Sequence, residues 1–289
     1  MSALVENHAI VTRLIRKLRG GSQPILIEAS DGFRYVLKFI NNPQGRNVLF
    51  NEAMGTSLYS AAGLPVPRWK PLKVTDEFLD RNPGCWLETA DGILRPQPGL
   101  CFGARFIGDG GARLWEILPG SSFSRIVNKS DFYLAWLLDT CARHTDNRQA
   151  LFESDSDCIR AVFFDHGHMF SGPNGKLSRP DFRAAAYLDT RVYSRNPKEY
   201  GVAIAKPVIN IDVDAVWIRA ERLPKEWLTG SALRNFAACL CLLADAKAVQ
   251  NIAELIADFS VEKDQRDIFP QHQLRGWPNW VLRAGIQGA

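Results

Sequence analysis

The spacing of apolar and polar positions predicts strands in the first part of the chain. Residues 11–18, 24–29 and 33–40 are rich in β-branched and aromatic side chains, so we expect a strand followed by a hairpin that turns at Asp31 and Gly32. Residues 46–62 change to helical spacing and end before a glycine and two prolines. Short apolar runs then return, including residues 100–107, which we interpret as further strands and a connector.

The second part of the chain follows residues 108–111, a glycine-rich stretch and the best linker candidate. Residues 132–142 are apolar nearly all round and predict a buried helix capped by Ser130 and Asp131. Residues 161–164 predict a short buried strand, and helical spacing dominates residues 215–259.

This pattern predicts an α+β fold of two lobes. The first lobe, residues 1–110, is expected to be strand-rich, and the second, residues 111–289, mainly helical. A cleft between them is the natural place for a ligand.

Composition and charge limit the partners and the cellular compartments that we expect for this protein. The chain of 289 residues has 35 basic and 31 acidic side chains, and the basic ones are dispersed, which does not favour a nucleic-acid partner. Six cysteines form no C-x-x-C pair, which favours a reduced, cytoplasmic protein over a zinc-binding one. The first residues do not resemble a signal peptide, and the longest apolar stretch, residues 236–244, is too short to cross a bilayer, so we expect no membrane association.

A lysine and a glutamate in apolar surroundings are the first candidates for chemistry. Lys38 lies in mid-strand, where a lysine most often simply faces solvent. Glu52 follows fourteen residues later on a helix with apolar flanks, where an unpaired carboxylate would be costly. Paired with Glu52, the Lys38 ammonium could be presented to phosphate oxygens.

A glycine-containing loop lies between the first two predicted strands. Glycines let backbone N–H groups approach a polyphosphate, and serine and glutamine side chains could add hydrogen bonds. A turn without a ligand is the more common role of such a pair of glycines. The candidate phosphate-binding residues are Gly20, Gly21, Ser22 and Gln23.

Two polar stretches in the second lobe carry candidate acids and metal ligands. Asp146, after the predicted buried helix, could orient or deprotonate a hydroxyl, and Asn147 or Gln149 could supply an oxygen to magnesium. Asp165 leaves a buried strand ahead of a glycine two residues later, which suits a metal-binding carboxylate. Either stretch could instead be an ordinary solvated loop.

The histidines suggest an alternative chemistry. A metal-dependent hydrolase could use His144, Asp165, His166 and His168, with the last two rings on one face of a strand. No further ligands at a recognised spacing accompany them. Hydrogen-bonded loop histidines are the more common case.

The order of these features resembles the HipA-like kinases, a bacterial branch of the protein-kinase-like superfamily. The resemblance covers roughly residues 10–170. It rests on Gly20-Gly21-Ser22-Gln23-Pro24, Tyr35-Val36-Leu37-Lys38-Phe39, Asn51-Glu52 followed by Ala62-Gly63-Leu64-Pro65-Val66-Pro67, Asp146-Asn147-Arg148-Gln149 and Phe164-Asp165-His166-Gly167.

The resemblance implies ATP and Mg²⁺ as cofactors and transfer of the γ-phosphoryl group to a hydroxyl, with a protein serine or threonine as the expected acceptor. By the same resemblance the glycine loop covers the ATP phosphates, and Lys38 contacts the α- and β-phosphates and pairs with Glu52. Asp165 holds magnesium, and Asp146 is the base. An antitoxin-like partner and autophosphorylation at Ser22 are further expectations.

One position departs from the kinase pattern. Kinases of this superfamily place an asparagine five residues after the catalytic aspartate, but Leu151 lies there. If Asn147 is the magnesium asparagine instead, the position five before it is Ala142, and a nucleotide-binding pseudokinase results. We prefer Asp146 as the base, with Asn147 or Gln149 as the second metal ligand and Asp139 as an alternative base.

Overall fold

The first lobe is built on a five-stranded antiparallel sheet. The computed structural model describes residues 8–110, 113–155, 157–176, 185–193 and 201–261. The strands are β1 (Val11–Lys17), β2 (Ile25–Ala29), β3 (Arg34–Lys38), β4 (Trp69–Val74) and a late strand, Gly99–Arg105. The late strand inserts between β3 and β4, so the order is β1-β2-β3-late strand-β4.

The structure contains the predicted hairpin, formed by β2 and β3. Ile27 pairs with Tyr35, and Ile25 pairs with Leu37. Gly32 in the turn has φ 80°, a conformation that glycine adopts without the steric cost of a Cβ atom.

A single helix, α1 (Val48–Ala61), follows the hairpin as predicted. Every residue from Val48 to Tyr59 is buried, because the sheet covers one side of the helix and the second lobe the other. Gly55 permits the closest approach, since a Cβ atom there would lie 2.5 Å from both His166 Cβ and Met169 Sδ. The helix therefore positions Glu52 between the lobes.

The segment between β4 and the late strand differs from the prediction of strands and a connector. It contains the helix α2 (Asp76–Arg81) and a small hairpin, β5 (Leu87–Thr89) and β6 (Gly92–Leu94), ahead of β7, the late strand (Gly99–Arg105). The Thr75 hydroxyl accepts a hydrogen bond from the Phe78 amide and caps α2. Residues of this segment cover the outer face of the sheet, which gives the first lobe a core of its own.

The second lobe contains the helix α3 (Ser130–Cys141), which is buried as predicted. Lys129, not Ser130 or Asp131, occupies the N-cap position, and no side chain caps the helix. Asp131 lies inside the first turn and accepts a hydrogen bond from Asn128 Nδ2 at 2.8 Å. The predicted cap is therefore wrong.

The described residues of the second lobe also form a three-stranded sheet and four more α-helices. The sheet order is β10 (Ile159–Phe164), β9 (Gln149–Ser154), β8 (Arg113–Trp115). Only part of β10 was predicted. The helices are α4 (Gly201–Ile209), α5 (Val213–Glu221), α6 (Gly230–Ala244) and α7 (Ala246–Val261), of which the last three fall in the helical region that the spacing predicted.

Most of the candidate linker forms a 3₁₀ turn at Ile107–Gly110. The last candidate linker residue, 111, lies outside the described residues, and the lobe boundary at residue 110 stays a prediction. In the described ranges no single helix is long and apolar enough to cross a membrane; Gly230–Ala244 and Ala246–Asp258 reach that length only together, across a bend of 86°.

Candidate active site

Three charged side chains from separate elements meet between the lobes. Lys38 at the end of β3 is hydrogen-bonded to Glu52 of α1, and its Nζ also lies 2.8 Å from Oδ1 of Asp165, which directly follows β10. Lys38 and Glu52 are 6% and 3% exposed, whereas the Asp165 side chain is 25% exposed. The solvent-facing interpretation of Lys38 is therefore wrong, and only the Asp165 carboxylate retains appreciable access to solvent.

This cluster contains one ammonium group and two carboxylates. Burial alone would raise the pKa of the Asp165 carboxyl, but the Lys38 ammonium outweighs it and lowers the pKa. Burial also dominates at Glu52, and there Lys38 offsets it only in part, so the pKa of Glu52 is raised. The excess of negative charge suits a site that binds a cation.

Glu52 has a second set of partners that sequence analysis missed. Its Oε2 accepts from the His166 amide at 3.1 Å, and its Oε1 accepts from the Gly167 amide at 2.9 Å. Asp165, just before them, has φ 59°, a left-handed conformation that is uncommon for a residue other than glycine. Glu52 thus holds the backbone that carries Asp165 as well as the Lys38 ammonium.

The loop that carries Asp146 runs beside the segment that follows Asp165. The Thr145 amide donates to the His168 carbonyl at 3.0 Å, and the Phe170 amide donates to the Ala142 carbonyl at 2.7 Å. Asp146 is half-buried, and its Oδ1 accepts from the Asn147 amide at 2.8 Å. These contacts bring the candidate base into the same region as Asp165.

Arg148 is the main site residue that sequence analysis left without a role. Its Nε and a terminal nitrogen donate to the two carboxylate oxygens of Asp139 at 2.7 and 2.8 Å, and its other terminal nitrogen donates to the Phe164 carbonyl at 2.8 Å. Asp139 is fully buried, so it cannot serve as the alternative base. The available signal was the carboxylate of Asp139 within the apolar stretch Phe132–Cys141 of α3, because a buried charge requires a partner.

The histidines do not form a metal site in the described part of the chain, where no group of three or more histidine, cysteine, aspartate or glutamate side chains could hold a metal ion. His144 Nε2 and His166 Nδ1 face Arg148 at 3.3 and 3.4 Å. Because arginine only donates, both nitrogens accept and both rings are neutral. Burial lowers the pKa of His144 to about 4 and that of His166 well below its usual value.

The predicted common face of His166 and His168 is wrong. The strand β10 ends at Phe164, before either residue. The His166 ring contacts Tyr59 at a centroid distance of 4.4 Å, whereas His168 Nε2 lies 3.1 Å from Gln44 Nε2. The two rings therefore have separate partners.

The glycine loop connects β1 and β2, as predicted. The backbone amides of Gly21 and Ser22 make no hydrogen bond to any described residue, and Gly21 is exposed. The Gln23 side chain already has partners. Its Nε2 donates to the Glu88 carbonyl at 2.5 Å, and its Oε1 accepts from the Glu88 backbone amide at 2.8 Å. Ser22 is 4% exposed, which opposes its modification in this conformation.

Gln44 spans the space between the glycine loop and the second lobe. A Cβ atom on Gly21 would lie 2.7 Å from Gln44 Nε2, so the absence of a side chain at Gly21 permits this approach. The same nitrogen contacts the His168 ring. The glycine loop is thereby linked to the segment that follows Asp165.

The candidate second metal ligands lie on either side of Arg148. Asn147 and Gln149 are half-buried, and Gln149 pairs in the sheet with Phe164, the residue before Asp165. Leu151 lies within β9 and has no oxygen in its side chain. Leu151 therefore cannot supply the metal-binding amide oxygen that an asparagine would supply at this position.

Solved kinase structures share this architecture. The proinflammatory kinase CtkA of Helicobacter pylori is similar with a TM-score of 0.55 and 12% identity, over 85% of this chain and 96% of that chain. The Golgi casein kinase with bound Mn and ADP is similar with a TM-score of 0.51 and 11% identity, over 88% of this chain and 75% of that chain. No protein-family model matches the chain, and no curated protein matches its sequence.

These similarities define the class of the fold. The protein has a protein-kinase-like α+β fold, with a strand-rich first region and a helical second region. At such low identity the likeness concerns the fold, and function must be argued from the site.

Proposed function

We propose that the protein is an ATP-dependent kinase of the HipA-like type that transfers the γ-phosphoryl group to a hydroxyl of a protein serine or threonine. The observation that carries the proposal is the buried contact of Lys38 with Glu52 and Asp165. These residues are 14 and 127 positions from Lys38 in sequence. A charged cluster assembled from such distant positions at a cleft is typical of a functional site.

The triphosphate would bind between Lys38 and the glycine loop. The Lys38 ammonium would contact the α- and β-phosphates, and Glu52 would keep it in place. The free backbone amides of Gly21 and Ser22 would donate to phosphate oxygens. Since the Gln23 side chain is bonded to Glu88, this binding would rely on backbone donors.

The donor set fits a magnesium ion. Asp165 offers a partly exposed, ionised carboxylate in a cluster with excess negative charge, and Asn147 or Gln149 would add an amide oxygen. When bound, magnesium would neutralise charge on the phosphate oxygens.

Asp146 would take the proton of the acceptor hydroxyl. Its Oδ1 already accepts from the Asn147 amide, which orients the carboxylate. Its Oδ2 makes no hydrogen bond to any described residue. That oxygen would receive the proton as the phosphoryl group transfers.

The test is transfer of label from γ-labelled ATP to a protein acceptor or to the enzyme itself. Asp146→Asn and Asp165→Asn keep side-chain size and should each abolish transfer. Asp155→Asn, in the β9–β10 turn, serves as a control. Full activity of either site variant would contradict the assigned role.

A pseudokinase is the second candidate, and Ala142 favours it, because Ala142 would occupy the position of the base if Asn147 is the magnesium asparagine. Such a protein would be stabilised by Mg–ATP without transferring label. The variant Gln149→Ala helps to distinguish the active kinase from the pseudokinase. A loss of transfer in this variant supports the kinase, whereas binding without any transfer in the parent protein supports the pseudokinase.

The remaining expectations concern the cellular setting. A cytoplasmic location is a proposal that follows from the cysteine pattern, and an antitoxin-like partner is one that follows from the HipA-like resemblance. Co-purification from a bacterial lysate followed by mass spectrometry would test the partner.

A further inference from the structure

Arg148 uses all of its donors on groups that surround Asp165. Beyond its two bonds to Asp139 and one to Phe164, it contacts the Asp165 carbonyl at 3.3 Å and both neutral imidazoles. The Tyr59 ring lies against its guanidinium at 4.9 Å. The side chain is 2% exposed and does not reach solvent or the cleft. It cannot bind a substrate, so its charge must serve another purpose.

Asp139 determines where this guanidinium lies. Both of its oxygens are used in a bidentate contact, the geometry that fixes an arginine most strongly. Asp139 belongs to α3, in which every residue from Phe132 to Cys141 is buried. The pair therefore connects a rigid helix to the backbone at the end of β10.

The backbone around Asp165 is held from two sides. Arg148 binds the carbonyls of Phe164 and Asp165, whereas Glu52 binds the amides of His166 and Gly167. Between these contacts Asp165 adopts its left-handed φ of 59°. Such conformations persist only where the surroundings hold them.

We propose that Arg148, oriented by Asp139, is a positioning residue that holds Asp165 in the conformation required to bind the metal of the Mg–ATP complex. This inference rests on the proposed function. Glu52 and Arg148 act as opposite halves of one clamp, a carboxylate on the amides and a guanidinium on the carbonyls. Arg148 acts through the backbone and does not touch the nucleotide.

The first experiment separates metal binding from nucleotide binding. In Arg148→Lys and Asp139→Asn we expect the Mg²⁺ concentration for half-maximal ATP binding to rise about 10–100-fold, the range for residues that orient metal ligands. Affinity for ATP measured in EDTA should change less than about threefold, because Lys38 and the glycine loop remain. Arg160→Lys, exposed on β10, is the matched control.

An unchanged Mg²⁺ requirement in Arg148→Lys would overturn the proposal. So would an equal loss of affinity with and without the metal, because that outcome indicates general damage to the cleft. Thermal melting of each variant without ligand identifies such damage.

A second experiment does not depend on nucleotide at all. Hydrogen exchange of the His166 and Gly167 amides should accelerate at least about tenfold in Arg148→Lys and stay unchanged in Arg160→Lys, because loss of one half of the clamp frees the other. Unaltered protection would overturn the positioning role. If the parent protein does not bind Mg–ATP, the proposed function fails, and this measurement still decides whether Arg148 holds the segment.

Discussion

Replacement of Lys38 by methionine tests the charge balance of the site most directly. Methionine keeps much of the length and the apolar stem but removes the ammonium that lies between Glu52 and Asp165. Glu52 is 3% exposed and cannot recover hydration. Among the described residues, its charge is left with the backbone amides of His166 and Gly167.

The expected cost follows from burial. Removal of one partner of a buried ion pair typically lowers the free energy of unfolding by about 3–5 kcal/mol, because the remaining charge stays desolvated. Lys17→Met is the matched control. Lys17 Nζ lies 2.8 Å from Oε1 of Glu88, whose side chain is 75% exposed, and such surface pairs contribute about 0–1 kcal/mol.

The assay is urea unfolding without nucleotide, followed by tryptophan fluorescence. The double variant Lys38→Met/Glu52→Gln completes a cycle with the two single variants. Loss of the Glu52 charge should cost less when Lys38 is already absent, with a coupling energy of roughly 0.5–3 kcal/mol.

The pH dependence gives an independent check. Without the ammonium, burial raises the pKa of Glu52 further, and a carboxyl whose folded-state pKa is raised favours the folded state at low pH. The difference between Lys38→Met and the parent protein should therefore narrow as the pH falls from 7 to 5. A Lys38→Met variant as stable as Lys17→Met, or additive effects in the cycle, would refute the reasoning.

Three further predictions concern the surroundings of the site. Gly55→Ala should lower the free energy of unfolding by about 1–3 kcal/mol, because its new methyl group would overlap His166, whereas Gly84→Ala, with open space around it, should have little effect in the same urea titration. Asn51→Ala removes an amide that donates to the carbonyls of residues 167, 169 and 172 at 2.8–3.2 Å and should cost about 1–3 kcal/mol; a change below about 0.5 kcal/mol would contradict this role. Burial lowers the pKa of His144 to about 4, so the stability contributed by the neutral ring is fully present above about pH 6.5, and up to about 3 kcal/mol is lost as the pH falls towards 4. In equilibrium unfolding across this range, the free energy of unfolding of His144→Asn should therefore depend less steeply on pH than that of the parent protein. The same pH dependence in both proteins would show that another group dominates.

Several features of the site could be predicted, because the local sequence pattern and the cost of burying an unpaired charge indicate the same residues. A hairpin with β-branched runs and a glycine in its turn places Lys38 in a strand, although β3 ends at Lys38 and not at the predicted residue 40. An apolar helix that carries one glutamate requires a cation for that glutamate, and Lys38 was the nearest candidate. A carboxylate directly after a buried strand likewise marked Asp165 as a residue of the cleft.

Other features depend on contacts between residues far apart in sequence, which periodicity does not encode. The helix α2 was missed because it is short, and its position is secured by packing against the outer face of the sheet. The Gln23 side chain was expected near phosphate, but it binds the backbone carbonyl and amide of Glu88 in β5. The role of Arg148 could not be deduced, because the Asp139 carboxylate predicts a cationic partner but nothing in the polar loop marks Arg148 as that partner.

The sequence by itself determined a strand-rich first region, a helical second region and the charged residues Lys38, Glu52 and Asp165, since these follow from local propensity and from the cost of leaving a charge unpaired. Only the tertiary structure decided which charges meet. The left-handed turn at Asp165 and the clamp formed by Glu52 and Arg148 exist because two lobes close around α1 and bring separate carbonyls, amides and side chains within hydrogen-bonding distance. Hydrogen bonds act over about 3 Å, so no pattern along the chain can specify them before the lobes are in place.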